Sequence, residues 1–179
     1  MSNFTGLKSL SLGHNLLRNK SAVVLNNIPN LIDLNLAGNG FSTLDAFNLT
    51  DVPVKNLNLS HNHLSSTLDF TNFTSLTELN LDDNQLTTLP IFPETLEKLN
   101  LNNNKLEGDL IFPENNLTEV QLNGNKVTSK NEDAFNKIRK DSDTLESTTV
   151  SVSNVTELPP GMHWINFQVF PTFMVVYGP

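Results

Sequence analysis

Amide and carboxylate side chains alternate with leucines along the first 127 residues, and they are the side chains that could bind a ligand. Amides donate and accept hydrogen bonds, whereas ionised carboxylates only accept them or hold cations. Such a set could bind a polar polymer or an extended peptide, or its members could bond to one another and to water. The candidate binding residues are Asp33, Asn35, Asn56, Asn58, Glu78, Asn80, Asp82, Asp83, Lys98, Asn100, Asn102, Glu119 and Gln121.

Metal binding is the first alternative use of these residues. His14 and His61 fall at the same repeat position but two strands apart, roughly 10 Å at the spacing of a sheet, too far to share one zinc ion. Glu78, Asp82 and Asp83 could hold a divalent cation loosely. However, adjacent side chains on a strand diverge, and no loop has the spacing of a calcium site. We therefore predict no metal and no cofactor.

Catalysis is the second alternative. The chain has no cysteine, which excludes a cysteine nucleophile and disulfide bonds. No Ser-His-Asp group, glycine-rich phosphate loop or carboxylate pair with a raised pKa can be placed on the repeats described next. We predict that the protein is not an enzyme.

A repeated stretch positions the candidate residues. The segment 96–106 reads L-E-K-L-N-L-N-N-N-K-L, and five further copies begin at Leu7, Leu31, Val54, Leu76 and Leu117. In a short strand the alternate leucines point to one side, and the chain then turns at an asparagine. One unit cannot bury its own leucines, but stacked units can, which predicts a solenoid with a parallel sheet along one side. The asparagine of each copy is Asn15, Asn39, Asn62, Asn84, Asn104 or Asn125.

These copies resemble the leucine-rich repeat, whose pattern is L-x-x-L-x-L-x-x-N-x-L, over residues 7–127. The resemblance implies that the asparagines form a buried ladder bonded to neighbouring turns. It also implies that the side chains between the leucines line a concave ligand-binding face. The proline-containing connections at 87–93 and 110–113 resemble those of bacterial leucine-rich repeat proteins.

The pattern divides the chain into three segments. Residues 1–127 form an α/β solenoid of six repeats with mostly non-helical connections, although the apolar spacing of 21–28 predicts one or two helical turns there. Residues 128–144 are predicted to form a helical C-terminal cap. Residues 145–179 are predicted to be a β-rich tail, because apolar residues alternate there between prolines.

The tail is rich in aromatic residues, namely Trp164, Phe167, Phe170, Phe173 and Tyr177. One interpretation is that they pack against the protein's own cap or solenoid. The other is that they dock the chain onto a larger assembly, because a small sheet leaves edges and apolar area uncovered.

Charge and hydropathy restrict the partners. The net charge is −8, and the eleven basic residues are scattered, which argues against a nucleic-acid partner. No apolar run is long enough for a membrane span, and the first residues lack the features of a signal peptide. We expect a cytoplasmic protein or a component of a virion or other assembly. The leading hypothesis is non-catalytic recognition of a protein, or of a polysaccharide, on the concave face; the alternative is a structural subunit docked through the tail.

Overall fold

A seven-stranded parallel sheet forms one side of the protein in the computed structural model. The structure describes residues 5–18, 23–24, 28–44, 47–48, 52–65, 67–113, 116–127, 149–151, 162–165 and 174–177. Its strands are β1 (Ser9–Ser11), β2 (Val23–Val24), β3 (Asp33–Asn35), β4 (Phe47–Asn48), β5 (Asn56–Asn58), β6 (Glu78–Asn80), β7 (Lys98–Asn100), β8 (Glu107–Gly108), β9 (Glu119–Gln121), β10 (Lys126–Val127), β11 (Thr149–Ser151), β12 (Met162–Ile165) and β13 (Met174–Tyr177).

Each sequence repeat contributes one strand to this sheet, in the order β1-β3-β5-β6-β7-β9, and β11 follows β9. The strands pair in register, so that Leu57 lies opposite Leu34 on one side and Leu79 on the other. The central leucine of β3, β5, β6 and β7 is at most 3% exposed. The predicted solenoid, with alternate leucines pointing into a shared interior, is confirmed.

The core runs without interruption from Ile28 to Val127. Leucines from the strands fill one side of it, and Phe41, Phe70 and Phe92 come from the connections between strands. Burial of a large apolar side chain stabilises the fold by roughly 1.5–3 kcal/mol, so the stacked repeats depend on one another for their stability.

The connections contain no α-helix in the part of the chain that the structure describes. The prediction of helical turns within 21–28 is wrong at Val23–Val24, because these residues form β2, which pairs in parallel with β4. Valine favours extended backbone, and the next connection supplies a partner strand for it.

The predicted asparagine ladder is confirmed for five of its members. Oδ1 of Asn62 accepts the backbone N–H groups of Asn39 and Phe41 at 3.0 and 3.1 Å. Its Nδ2 donates to the carbonyls of Leu36 and Leu59 at 3.2 and 2.9 Å. Each side chain thus satisfies backbone groups of two successive coils. The buried members of this asparagine ladder are Asn39, Asn62, Asn84, Asn104 and Asn125.

The sixth predicted member, Asn15, does not fit the prediction because it is exposed. Its Nδ2 donates to the carbonyls of Leu12 and Gly13, which belong to its own turn. Asn15 follows the first strand of the sheet, and no described coil packs on the outer side of that strand. The ladder therefore begins at Asn39.

The residue before each asparagine has left-handed backbone, with φ between 52° and 75°. Glycine tolerates this region best, and among other residues asparagine, aspartate and histidine are enriched there. The chain uses only these four types at the six positions. We call them the left-handed column: His14, Gly38, His61, Asp83, Asn103 and Gly124.

Valine at a position of the left-handed column should destabilise the fold. For Asn103→Val we expect a loss of about 1–3 kcal/mol in the free energy of unfolding, because a β-branched side chain is strained at this φ. Asn103→Gly is the control, because it also removes the 2.9 Å hydrogen bond to Asp82 but places no strain on the backbone. The difference between the two variants therefore measures the backbone strain alone. Urea denaturation should therefore give a lower free energy of unfolding for Asn103→Val than for Asn103→Gly. Equal free energies would show that backbone strain does not determine the residue at this position.

At the C-terminal end, β11 extends the main sheet by pairing with β9, and β12 pairs antiparallel with β13. The predicted helical cap at 128–144 lies outside the described residues. The β-rich tail stays a prediction, since most of residues 145–179 lie outside them too.

Candidate functional site

A groove of about 320 Å³ crosses the outward face of the sheet from β1 to β9, and we call it the sheet groove. Side chains that point away from the core on successive strands line it, which follows from the period of two along each strand. Ser9, which was not predicted, lies at one end. Ten of the predicted binding residues line the sheet groove: Asp33, Asn35, Asn56, Asn58, Glu78, Asn80, Lys98, Asn100, Glu119 and Gln121.

The other three predicted residues follow the strand ends and do not line the groove. Asp82 accepts a hydrogen bond from Nδ2 of Asn103 at 2.9 Å. Asp83 belongs to the left-handed column and pairs with Nδ1 of His61 at 2.7 Å. Nδ2 of Asn102 donates to Oε1 of Gln121 at 3.0 Å.

Four amides form a row across the centre of the sheet groove, and we call Asn35, Asn58, Asn80 and Asn100 the amide row. In each, Oδ1 accepts the backbone N–H of the residue two positions ahead, at 2.9 to 3.0 Å. Only the oxygen can accept such a bond, so this contact fixes the orientation of each amide. Among the described residues, their Nδ2 atoms have no hydrogen-bond partner and the four amides do not bond to one another. The row therefore presents N–H donors to the groove.

Charged side chains surround the amide row. Lys98 Nζ pairs with Glu78 Oε1 at 2.7 Å, and this hydrogen bond, reinforced by the nearby carboxylate charges, raises the pKa of the lysine. Asp33 accepts a hydrogen bond from Asn56 at 2.6 Å, and Glu119 accepts one from Gln121 at 2.7 Å. With three carboxylates and one ammonium group, the sheet groove has a negative balance, which favours a neutral or basic ligand.

The described part of the chain contains neither a metal-binding cluster nor a membrane-spanning helix. No group of three histidine, aspartate or glutamate side chains is placed there to hold a metal ion. His14 lies against Gly38, and His61 binds Asp83, so the two histidines have different neighbours. A search of the same residues finds no helix with the length and hydropathy to cross a bilayer.

The predicted docking residues of the tail are only partly described. Trp164 and Tyr177 belong to β12 and β13, where Trp164 lies opposite Val175 and Tyr177 opposite Met162. Phe167, Phe170 and Phe173 lie outside the described residues, so docking through the aromatic tail stays a prediction.

Comparisons with known proteins agree with this architecture. The family model described as Leucine Rich Repeat matches residues 75–94 and 95–114. A calmodulin-binding receptor kinase of Arabidopsis thaliana, CaMRLK, is 36% identical over 93 residues, which are 50% of this chain and 14% of the kinase. The chain thus spans a small part of that relative, whose activity and partners are its own.

A solved structure shows the same fold. The crystal structure of the leucine-rich repeat domain of APL1B aligns with a TM-score of 0.58 and 21% sequence identity, covering 88% of this chain and 45% of that one. This structural similarity supports the solenoid fold of the chain but does not indicate which ligand it binds. The two matched repeats, the six in-register strands and the asparagine ladder together show that residues 7–127 are built from leucine-rich repeats.

Proposed function

We propose that the chain is a recognition module that binds a protein partner in the sheet groove. Leucine-rich repeat domains are in general protein-binding modules and typically lack catalytic function. The observation that carries the proposal is that ten predicted polar residues from five strands line one groove. Pairing in register with a buried core beneath holds these strands rigid, so binding orders few groups and costs little conformational entropy.

The groove offers two kinds of contact to a protein. The amide row supplies donors for backbone carbonyls, and the carboxylates of Asp33, Glu78 and Glu119 attract basic side chains. Aromatic and arginine side chains supply most interface hot spots, and none lines the groove among the residues that the structure describes. We therefore expect an affinity built from many hydrogen bonds rather than from one buried anchor.

Photo-cross-linking tests the proposal. A benzoylphenylalanine in place of Lys98 samples the sheet groove, and the same residue in place of Ile111, which is 83% exposed on a connection, samples another surface. In cells that make the protein, we expect a covalent adduct of defined mass from position 98 and none from position 111. Adducts from position 111 alone, or from neither position, would contradict binding in the groove.

A further inference from the structure

The amide row has more donors than acceptors, and this asymmetry points to the chemistry of its ligand. The oxygen of each amide is turned toward a backbone N–H near its own strand end. Each Nδ2 keeps two N–H groups without a partner among the described residues. A ligand that lies along the amide row therefore has to bring acceptors in a row, and its own backbone donors find the oxygens of the row already bonded.

The spacing of the row selects the conformation of a bound peptide. Neighbouring strands are about 4.8 Å apart, so amides two strands apart are separated by about 9.6 Å. A polyproline II helix has three residues per turn and a rise of about 3.1 Å, so carbonyls on one side of it repeat about every 9.3 Å. An extended strand repeats on one side about every 6.7 Å, which matches neither one nor two strand spacings. The polyproline II repeat fits Asn35 with Asn80, and Asn58 with Asn100.

Proline also suits the donor asymmetry. A run of prolines has backbone carbonyls but lacks N–H groups, so it leaves no backbone donor unsatisfied along the amide row, whose oxygens are already bonded. Its polyproline II conformation exists before binding, which reduces the entropy lost on association. The carboxylates of Asp33 and Glu119, near opposite ends of the groove, favour basic residues at the ends of such a segment.

We propose that the sheet groove recognises a proline-rich segment in polyproline II conformation, lying across the strands and flanked by basic residues. This inference rests on the proposed function, since it names the chemistry of the partner for the same groove. A run of eight prolines spans about 25 Å, close to the width of the six strands from β1 to β9.

Fluorescence anisotropy with a labelled peptide of eight prolines and a lysine at each end tests the proposal. The comparison peptide keeps both lysines and replaces the prolines with alternating glycine and serine. We expect the oligoproline to bind at least about tenfold more tightly, because the flexible peptide has to be ordered and carries unmatched N–H groups. Equal binding of both peptides, or binding of neither, would overturn the inference.

Two variants connect the binding to the amide row. Asn58→Asp and Asn80→Asp keep an oxygen for the backbone N–H of Ser60 or Asp82 but replace both donors with a second oxygen. We expect each substitution to weaken the binding of the oligoproline peptide about tenfold. The added negative charge would by itself strengthen attraction of the lysines, so a loss has to come from the donors. Asn72→Asp, an exposed position outside the groove, makes the same charge change and should leave binding unaltered.

The outcomes separate this inference from the proposed function. An adduct from position 98 without oligoproline binding would leave protein recognition in place and remove the proline-rich ligand. Unchanged oligoproline binding in both Asn→Asp variants would show that the amide row does not hold the peptide. Binding of a neutral β-glucan oligosaccharide instead of the oligoproline would replace the peptide with a polysaccharide.

Discussion

Asn62→Ala is expected to lower the free energy of unfolding by about 3–5 kcal/mol, one of the two largest effects expected for a single substitution in this chain. The side chain of Asn62 is 3% exposed and makes five hydrogen bonds to backbone groups. Alanine removes all of them, so the buried backbone N–H groups of Asn39 and Phe41 lose this acceptor. The carbonyls of Leu36, Leu59 and Ser60 each keep one other donor, so most of the loss comes from the two N–H groups. Urea denaturation followed by circular dichroism measures the loss.

Asn15→Ala is the matched control, since Asn15 occupies the same repeat position. It is exposed, and within the described part of the chain its side chain bonds only to its own turn, so water can replace both contacts. We expect it to lose less than about 1 kcal/mol. A loss for Asn15→Ala equal to that for Asn62→Ala would show that the cost comes from the residue type and not from the ladder.

Phe70→Ala is expected to have the second large effect, lowering the free energy of unfolding by about 3–5 kcal/mol. The side chain is fully buried where the connection after β5 meets the core, and its ring lies 5.6 Å from that of Phe73. Removing the ring leaves a cavity that the strands cannot fill, because their register is fixed by neighbours on both sides. The midpoint of urea denaturation should fall accordingly.

Ile111→Ala provides the comparison for this substitution. Ile111 also lies on a connection, but it is 83% exposed, so truncation removes little buried area. We expect a change within about 0.5 kcal/mol. If both variants lost the same stability, the connections would not contribute to the core in the way the structure shows.

The repeat pattern predicted much of this fold because few arrangements of the chain can bury leucines with this spacing. Leucines spaced as in 96–106 cannot be buried by one unit, so stacking follows from the sequence alone. The asparagine ladder was implied by the resemblance to the leucine-rich repeat, and Asn15 departs from it because it follows the end strand of the sheet. Residue types and spacing by themselves predicted the leucine core.

The orientation of the amide row was not predictable in this way. Asn58 and Asn62 are the same residue type four positions apart, yet one lines the sheet groove and the other is buried. Residue types and spacing leave open whether the amides of the row bond to one another. Only the geometry of the turn after each strand shows that the backbone holds their oxygens.

The left-handed column was missed although the sequence contained a signal for it. Glycine, histidine, aspartate and asparagine occupy the position before each ladder asparagine, and all of them tolerate positive φ. From the sequence, Asp83 is predicted to bind a ligand, whereas His14 and His61 share a repeat position but are predicted to lie too far apart to bind one zinc ion. Backbone conformation explains the choice of residue at all three positions.

Cysteine labelling of β6 tests the central claim that alternate side chains point into one shared core and out into one groove. The natural chain has no cysteine, so Glu78→Cys, Leu79→Cys and Asn80→Cys each introduce a single thiol. Under native conditions we predict rapid reaction with a maleimide at positions 78 and 80 and strong protection at position 79, lost when urea unfolds the chain. Rapid labelling at position 79 in a variant that keeps its native circular dichroism would contradict the account.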